Sequence, residues 1–202
     1  MEHKQTAYVI LGILAIHPHQ SGYEIRKTIQ SSVGFFWGES FGQIYPTLKR
    51  LAAEGLIVPS QSGTKPRPGR QEYSITEAGK ECLREWMAIP FRVDPPRSEF
   101  LLKLFFGREA APGVSIEHVL QFQEKSRQML ATILELEGLA RVHNSQQRGF
   151  PFWMLTLKFG VAQLRSALEW SDAALAMLKE MEADEAAALQ EESQSAIDPA
   201  TQ

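Results

Sequence analysis

One short segment holds polar and cationic side chains of the kinds that read a nucleic acid. Residues 42–57 read GQIYPTLKRLAAEGLI. On a helical wheel its apolar residues share one face, and these are Ile44, Leu48 and Leu51. The opposite face and its flanks comprise Gln43, Tyr45, Thr47, Lys49 and Arg50. A glutamine side chain can form paired hydrogen bonds with adenine, and an arginine side chain can form them with guanine or bind a phosphate. The segment therefore predicts a helix that packs by its apolar side and offers the other side to DNA, although an ordinary solvated helix face has the same charge pattern.

A second cationic cluster lies in a loop shortly after this segment. The loop SGTKPRPGR connects LIVPSQ and QEYSI, two short stretches whose composition and alternation predict a β-hairpin. Its cations are Lys65, Arg67 and Arg70. At the tip of a hairpin they would contact phosphates or the minor groove. Ser40 is predicted to cap the helix that follows it, and we count it among the candidate DNA-binding residues.

Other chemistry finds little support in the sequence. His17 and His19 stand two apart in the turn HPHQSG, but a metal site needs three or four ligands. Cys82 is the single cysteine, so an intrachain disulfide is excluded; a redox role is possible, but packing is the better interpretation. The carboxylates are scattered, and no Ser-His-Asp order, P-loop or GxGxxG motif occurs. We expect no enzyme activity, no cofactor and no metal.

The elements that position the two cationic clusters follow the order of a winged helix-turn-helix. A first helix, from about Thr6 to Ile16, is apolar on nearly every face and should be buried. Ser21 and Glu24 form a Ser-x-x-Glu capping box that opens a second helix. The third helix carries the polar face, and Gly55 should end it in a left-handed cap. The hairpin comes next, with Tyr73 and Ile75 on one face, and Thr76 then caps a fourth helix whose inward residues are Cys82, Leu83 and Trp86.

Pro46 interrupts the third helix, and its effect depends on where that helix begins. If Ser40 is the cap, Pro46 lies about one and a half turns in and breaks a hydrogen bond, at a cost of roughly 3 kcal/mol. If the helix starts nearer Ile44, the cost largely vanishes. The sequence leaves both alternatives open.

The second half predicts helices alone. The prolines of IPFRVDPPR mark a boundary, so we expect a DNA-binding domain over 1–92, a helical dimerisation domain over 93–182 and a frayed or disordered tail over 183–202. SEFLLKLFFG predicts a short helix, Ser115 caps a helix reaching about Leu139, and Pro151 opens one ending near Met181. The last is long and amphipathic, and a second copy of the chain is the simplest partner for it. The fold class is thus mainly α with a small β-hairpin.

Composition and charge fit this division. The 202 residues carry a formal net charge of −3, but residues 1–92 hold 11 Lys and Arg against 8 Asp and Glu, and the remainder 10 against 16. A mildly basic first half permits a polyanion as partner without proving one. The longest apolar run, Ala7 to Ile16, is too short to cross a membrane. No basic n-region with a small-residue cleavage site precedes this run, so we expect no signal peptide. We therefore expect a cytoplasmic protein.

The motifs SGYEI, GQIYPTLKRLAAEGLI and GRQEYSITEAGKECLREW, in this order and spacing between Ala7 and Trp86, closely resemble the PadR family of bacterial transcriptional regulators. The second half is similar, more weakly, to the C-terminal helical domain of larger members, notably at Glu169 and Trp170. The chain departs from the family at Gln71 and Glu72, where members often carry a basic residue, which shifts weight to Arg67 and Arg70.

The resemblance implies a homodimer that binds double-stranded DNA at a pseudo-palindromic operator, usually as a repressor. It also implies release by a small molecule in some members, phenolic acids being one class. Aromatic residues in both halves could line a pocket for a small aromatic effector between the domains, but ordinary core packing is the better interpretation, and we assign no effector residue. These aromatic residues are Phe35, Phe36, Trp37, Phe91, Phe105, Phe106, Phe150, Phe152 and Trp153. The alternative function is a winged-helix module that binds protein instead of an operator.

Overall fold

The computed structural model describes residues 5–37, 41–60, 71–91 and 97–197. The chain divides into two compact units, Met1–Asp94 and Pro95–Gln202. The expected boundary between residues 92 and 93 lies outside the described residues. Among the residues described, none of the helices is both long and apolar enough to span a membrane.

The first unit is a winged helix-turn-helix, as the sequence predicted. Its elements are α1 (Gln5–Ile16), β1 (Gln20–Ser21), α2 (Gly22–Ser31), α3 (Ile44–Ala53), β2 (Ile57–Ser60), β3 (Glu72–Ile75) and α4 (Glu77–Ala88). Helix α1 runs through the centre of this unit. It supplies half of the buried apolar core, and α2, α3 and β2 supply the rest: Ala7, Tyr8, Ile10, Leu11, Ile13, Leu14, Ile25, Ile29, Ile44, Leu48, Leu51 and Ile57. The predicted burial of the first helix is confirmed.

Local signals in the sequence determine where α2 and α4 begin. The Ser21 side chain accepts from the Glu24 backbone N–H, and the Glu24 carboxylate accepts from the Ser21 N–H at 2.9 Å, which confirms the capping box. Thr76 accepts from the Gly79 N–H at 3.0 Å, which confirms the cap of α4. On α4, Cys82 and Leu83 pack against the core, and the Trp86 ring stacks on Tyr8 with 4.6 Å between centroids.

Helix α3 ends in a Schellman motif. Gly55 has a φ of 71°, its N–H donates to the Ala52 carbonyl, and the Leu56 N–H donates to the Leu51 carbonyl. The predicted left-handed cap is therefore confirmed. The motif turns the chain directly from α3 into β2.

The sheet has three antiparallel strands in the order β1-β3-β2. The hairpin of β2 and β3 was predicted, and Tyr73 and Ile75 pack against the core as expected. Strand β1 was missed because it is two residues long and belongs to a segment that we interpreted as a turn. His19 precedes it with a φ of 60°, a conformation that is uncommon for a side-chain-bearing residue and that leads the chain back beside β3.

Pro46 disturbs no helical hydrogen bond. A short 3-10 segment, Phe41–Gln43, precedes α3, and Gln43 is its N-cap residue. Pro46 is therefore the third residue of α3, among the positions whose backbone N–H has no partner within the helix. Of the two alternatives, the later start is correct.

The second unit is helical, with α5 (Glu99–Phe105), α6 (Val114–Asn144) and α7 (Phe150–Ile197). Ser98 caps α5. The prediction that Ser115 caps α6 is wrong, because Gly113, with a φ of 83°, occupies the cap position. The predicted end of α7 near Met181 is also wrong, since the helix continues to Ile197. The alanines and glutamates after Met181 are strong helix formers, which explains the extension.

Helices α6 and α7 pack along a seam with a seven-residue repeat. Val119, Ser126 and Ile133 are buried on α6, and Met154, Val161 and Leu175 are buried on α7. A polar layer interrupts the seam, where the Gln123 amide donates to the Asp172 carboxylate at 2.6 Å. Near the start of α6 the Gly113 N–H donates to the Glu182 carboxylate, so α7 supplies the cap that α6 lacks in its own sequence.

Candidate nucleic-acid interface

Helix α3 has the two faces that its sequence predicts. Ile44, Leu48 and Leu51 are at most 1% exposed and hold the helix to the core. Gln43, Tyr45 and Lys49 are exposed on the other side. Gln43 stands immediately before the first helical residue, so it lies at the end of the helix that enters the major groove in helix-turn-helix proteins.

Thr47 does not belong to the exposed face on which we placed it. Its exposure is 6%, because it lies one helical turn before Leu51 and shares the buried side of α3. The prediction of an exposed Thr47 is therefore wrong, and Thr47 is removed from the candidate site.

Arg50 is half-buried, and this changes what it can contact. Its Nε and Nη2 atoms are buried and have no hydrogen-bond partner within the described part of the chain. A guanidinium has two bidentate edges, one formed by Nε and Nη2 and the other by Nη1 and Nη2. Both include Nη2, so in this conformation Arg50 presents neither edge to a guanine or a phosphate.

Tyr45 depends on a glycine that sequence reasoning did not single out. Its side chain is 64% exposed, yet the ring rests against Gly22, the first residue of α2. A Cβ atom at position 22 would lie 2.7 Å from Tyr45 Cε1 and 3.2 Å from Leu48 Cδ1. Gly22 thus allows α2 and α3 to approach closely. The sequence showed Ser21 and Gly22 at a helix start, but it could not show that Tyr45 lies against this glycine.

The base of the hairpin carries a polar cluster that we had assigned to a plain turn. The His19 Nδ1 atom lies within hydrogen-bond distance of the Ser60 hydroxyl on β2 and, at 3.0 Å, of the Ser74 hydroxyl on β3. The His19 backbone N–H also points at the Ser74 hydroxyl, at 3.3 Å. One side chain therefore ties the turn before β1 to both strands of the wing. The tip of the hairpin, with Lys65, Arg67 and Arg70, lies outside the described residues, as does Ser40.

The cations of α4 are already engaged. Lys80 pairs with Glu77 at 3.1 Å, and Arg84 pairs with Glu77 at 2.9 Å and with Glu81. The hydrogen bond from Lys80, and then that from Arg84, holds the pKa of the Glu77 carboxyl below its ordinary value. These pairs neutralise α4 locally, whereas Lys27 on α2 and Lys49 on α3 are exposed.

Neither a metal centre nor a reactive thiol emerges from the described residues. No group of three or more His, Cys, Asp or Glu side chains there could hold a metal ion. Burial, and then the charges of Glu85 and Glu54, raise the pKa of the Cys82 thiol. A thiol of this kind stays protonated near neutral pH and is a poor nucleophile.

The second unit contains an aromatic cleft. The rings of Phe100 and Phe122 stack with centroids 4.4 Å apart, and Trp170 meets each of them edge-on at 5.8 and 6.0 Å. These three rings line a cleft of about 650 Å³, together with Ser98, Leu101, Ala162, Gln163, Ser166 and Ala167. The sequence had pointed to other aromatic residues. Phe105 and Phe106, which were among those, are exposed and pack edge to face on each other.

Comparison with known proteins assigns both units to families. Residues 10–85 match the transcriptional regulator PadR-like family, and residues 96–179 match the virulence activator alpha C-terminal family. The chain thus carries a PadR-like domain followed by a domain of the virulence activator alpha C-terminal kind. The resemblance noted from the motifs is therefore confirmed.

The relatives of this PadR-like chain match both units together. The negative transcriptional regulator PadR of Bacillus subtilis (strain 168) is 28% identical over 181 residues, which is 85% of this chain and 96% of the relative. Its crystal structure with operator DNA superposes with a TM-score of 0.74 at 24% identity, over 87% of this chain and 99% of that one. Its structure with p-coumaric acid superposes with a TM-score of 0.66 at 22% identity, over 85% of this chain and 99% of that one. The structure of the virulence activator AphA of Vibrio cholerae superposes with a TM-score of 0.69 at 27% identity, over 87% of this chain and 99% of that one.

Proposed function

We propose that this PadR-like chain is a sequence-specific DNA-binding repressor that binds a pseudo-palindromic operator as a homodimer and is released by a small aromatic effector. The observation that carries the proposal is α3, whose apolar side is buried while Gln43, Tyr45 and Lys49 face outward. The Bacillus relative is a negative transcriptional regulator, which supports repression. AphA, in contrast, is a virulence activator.

The roles follow from position along α3 and the hairpin. Gln43 and Tyr45, at the start of the helix, are placed for base edges in the major groove. Lys49 lies farther along and contacts a phosphate. We keep Ser40, Lys65, Arg67 and Arg70 as phosphate or minor-groove contacts. Thr47 drops out because its side chain is buried.

The homodimer is supported by a second apolar stripe on α7 that α6 does not cover. Its members share one side of the helix and are 55 to 69% exposed: Phe152, Leu155, Phe159, Met177 and Met181. A stripe of this length on one helix is typical of an interaction surface. A two-fold dimer would present two copies of α3 to operator half-sites about one helical turn apart.

The proposed effector site is the aromatic cleft of the second unit. Its volume of about 650 Å³ lies within the range of small-molecule sites, and its walls are aromatic with a few polar groups. The Bacillus relative has been crystallised with p-coumaric acid, which is an aromatic compound. A bound ring would change the fluorescence of Trp170 on titration, and a Trp170→Leu variant should lose both the signal and the release of DNA.

A selection experiment tests DNA binding and symmetry together. Duplexes enriched from a random library by the full-length chain should share an inverted repeat, and their binding should weaken steeply with salt. Lys49→Met should lower the slope of log affinity against log salt by about 0.9, the value for one phosphate contact. Lys80→Met is the matched control, because that lysine is paired on α4 and should leave the slope unchanged. Failure to enrich any duplex, with tight capture of a protein instead, would refute the proposal.

A further inference from the structure

Arg50 and Lys49 are adjacent cations on α3 in opposite circumstances. Lys49 is exposed to solvent, whereas Arg50 is half-buried beside the core face. Arg50 is followed directly by the buried Leu51, and the buried Thr47 lies one helical turn before it. A charged side chain on a DNA-binding helix is therefore withdrawn from the surface that the neighbouring lysine occupies.

The withdrawn position is unfavourable for a guanidinium. Two of its three nitrogens, Nε and Nη2, are buried and find no acceptor among the described residues. A buried donor without a partner loses its hydration and gains nothing in return, and the penalty is larger for a charged group. Arg84 on α4 shows the ordinary arrangement in the same unit, since it is exposed and held by two carboxylates.

We propose that Arg50 is stored in this position in the free protein and swings outward when DNA binds, so that it lowers the stability of the free protein and raises its affinity for DNA. This inference rests on the proposed function. A phosphate or a guanine edge supplies the two acceptors that Nε and Nη2 lack. Because DNA binds the outward conformation alone, it shifts the population toward that conformation.

The contribution of Arg50 to binding then has two parts. One is the new charge-assisted contact, which every cation at the interface makes. The other is release from a site where the group was unpaired, which Lys49 does not share because it is already solvated. Replacing Arg50 should therefore change the stability of the free protein, whereas replacing Lys49 should not. Both replacements should weaken DNA binding.

A pair of methionine variants tests this in the full-length chain. Arg50→Met keeps an apolar stem of similar length in the half-buried site, and Lys49→Met is the matched control on the exposed side. Thermal unfolding without DNA is followed by calorimetry, and binding is followed by fluorescence anisotropy with the duplex enriched by the wild-type chain. We expect Arg50→Met to unfold about 2–8 °C higher than wild type and to bind roughly tenfold more weakly or worse. Lys49→Met should unfold within about 1 °C of wild type and also bind more weakly.

The outcomes separate this inference from the proposed function. A lower or unchanged unfolding temperature for Arg50→Met, or failure of that variant to fold, overturns the inference, because the arginine would then have a partner or a packing role. Unchanged DNA affinity in Arg50→Met overturns it as well. Absence of DNA binding by the wild-type chain overturns the proposed function and the DNA half of this inference, whereas the unfolding result depends on no DNA at all.

Discussion

Gly79 is the position at which a single methyl group should damage the DNA-binding unit most clearly. It is buried in the first turn of α4, and its N–H donates to the Thr76 hydroxyl. A Cβ atom there would fall inside the contact distance of the Leu56 carbonyl oxygen and lie 2.8 Å from Ile75 Cγ1. Carbon atoms ordinarily approach to about 3.5–4.0 Å. The same Leu56 carbonyl accepts from both the N–H and the hydroxyl of Thr76, each at 3.0 Å, so moving it strains two hydrogen bonds.

The size of the effect in Gly79→Ala follows from these contacts. Overpacking in a tight site costs about 1–3 kcal/mol, and weakening the two hydrogen bonds adds about 1 kcal/mol each. Alanine returns about 1 kcal/mol through its higher helix propensity. We therefore expect a loss of roughly 2–4 kcal/mol in the free energy of unfolding, measured by urea denaturation of the full-length chain.

Gly12→Ala is the matched control for this prediction. Gly12 lies inside α1 of the same unit, and a Cβ atom there meets no heavy atom within 4 Å. With space available, alanine should stabilise the protein by about 0.5–1 kcal/mol. If the two variants prove equally stable, the close approach of α4 to the turn at Leu56 is not what requires glycine, and the reasoning is refuted.

Two further predictions concern a helix cap and the thiol. Glu182→Ala should lower the free energy of unfolding by about 0.5–2 kcal/mol, because the carboxylate accepts a hydrogen bond from the Gly113 N–H at the positive end of α6. Glu180→Ala, an exposed change on the same helix, is the control and should leave the free energy of unfolding unchanged. Equal losses in both variants would contradict the cap. Cys82 should react slowly with a thiol reagent at neutral pH, because burial raises its pKa. A raised pKa means that the folded state holds the thiol proton more tightly than the unfolded state does. The contribution of Cys82 to the free energy of unfolding is therefore complete below the unfolded pKa of about 8.5 and is lost as the pH rises through the pKa of the folded state. Cys82→Ala should therefore flatten the alkaline fall in stability, and an unchanged fall would contradict the argument.

Features that depend on neighbours in the chain could be predicted from the sequence alone. The Ser21–Glu24 box, the Thr76 cap and the Gly55 turn each involve residues within a few positions of one another, so residue type and spacing determine them. The apolar positions of α3 follow from the period of the helix, which placed Ile44, Leu48 and Leu51 correctly. Short-range patterns of this kind gave the order of the winged helix-turn-helix and the side of α3 that faces outward.

Features that depend on distant residues were decided by the tertiary structure. Thr47 and Arg50 flank the core face of α3, and only packing against the rest of the unit determines how deeply each is buried. Strand β1 exists because β3 lies beside it, and two residues have no period of their own. Gly113 takes the cap position of α6 because Glu182, sixty-nine residues later, reaches its N–H. The sequence thus determined the helices and the hairpin of the first unit, whereas strand β1, the cap of α6 and the burial of individual side chains required the contacts between elements, since a side chain's environment is a property of everything packed around it.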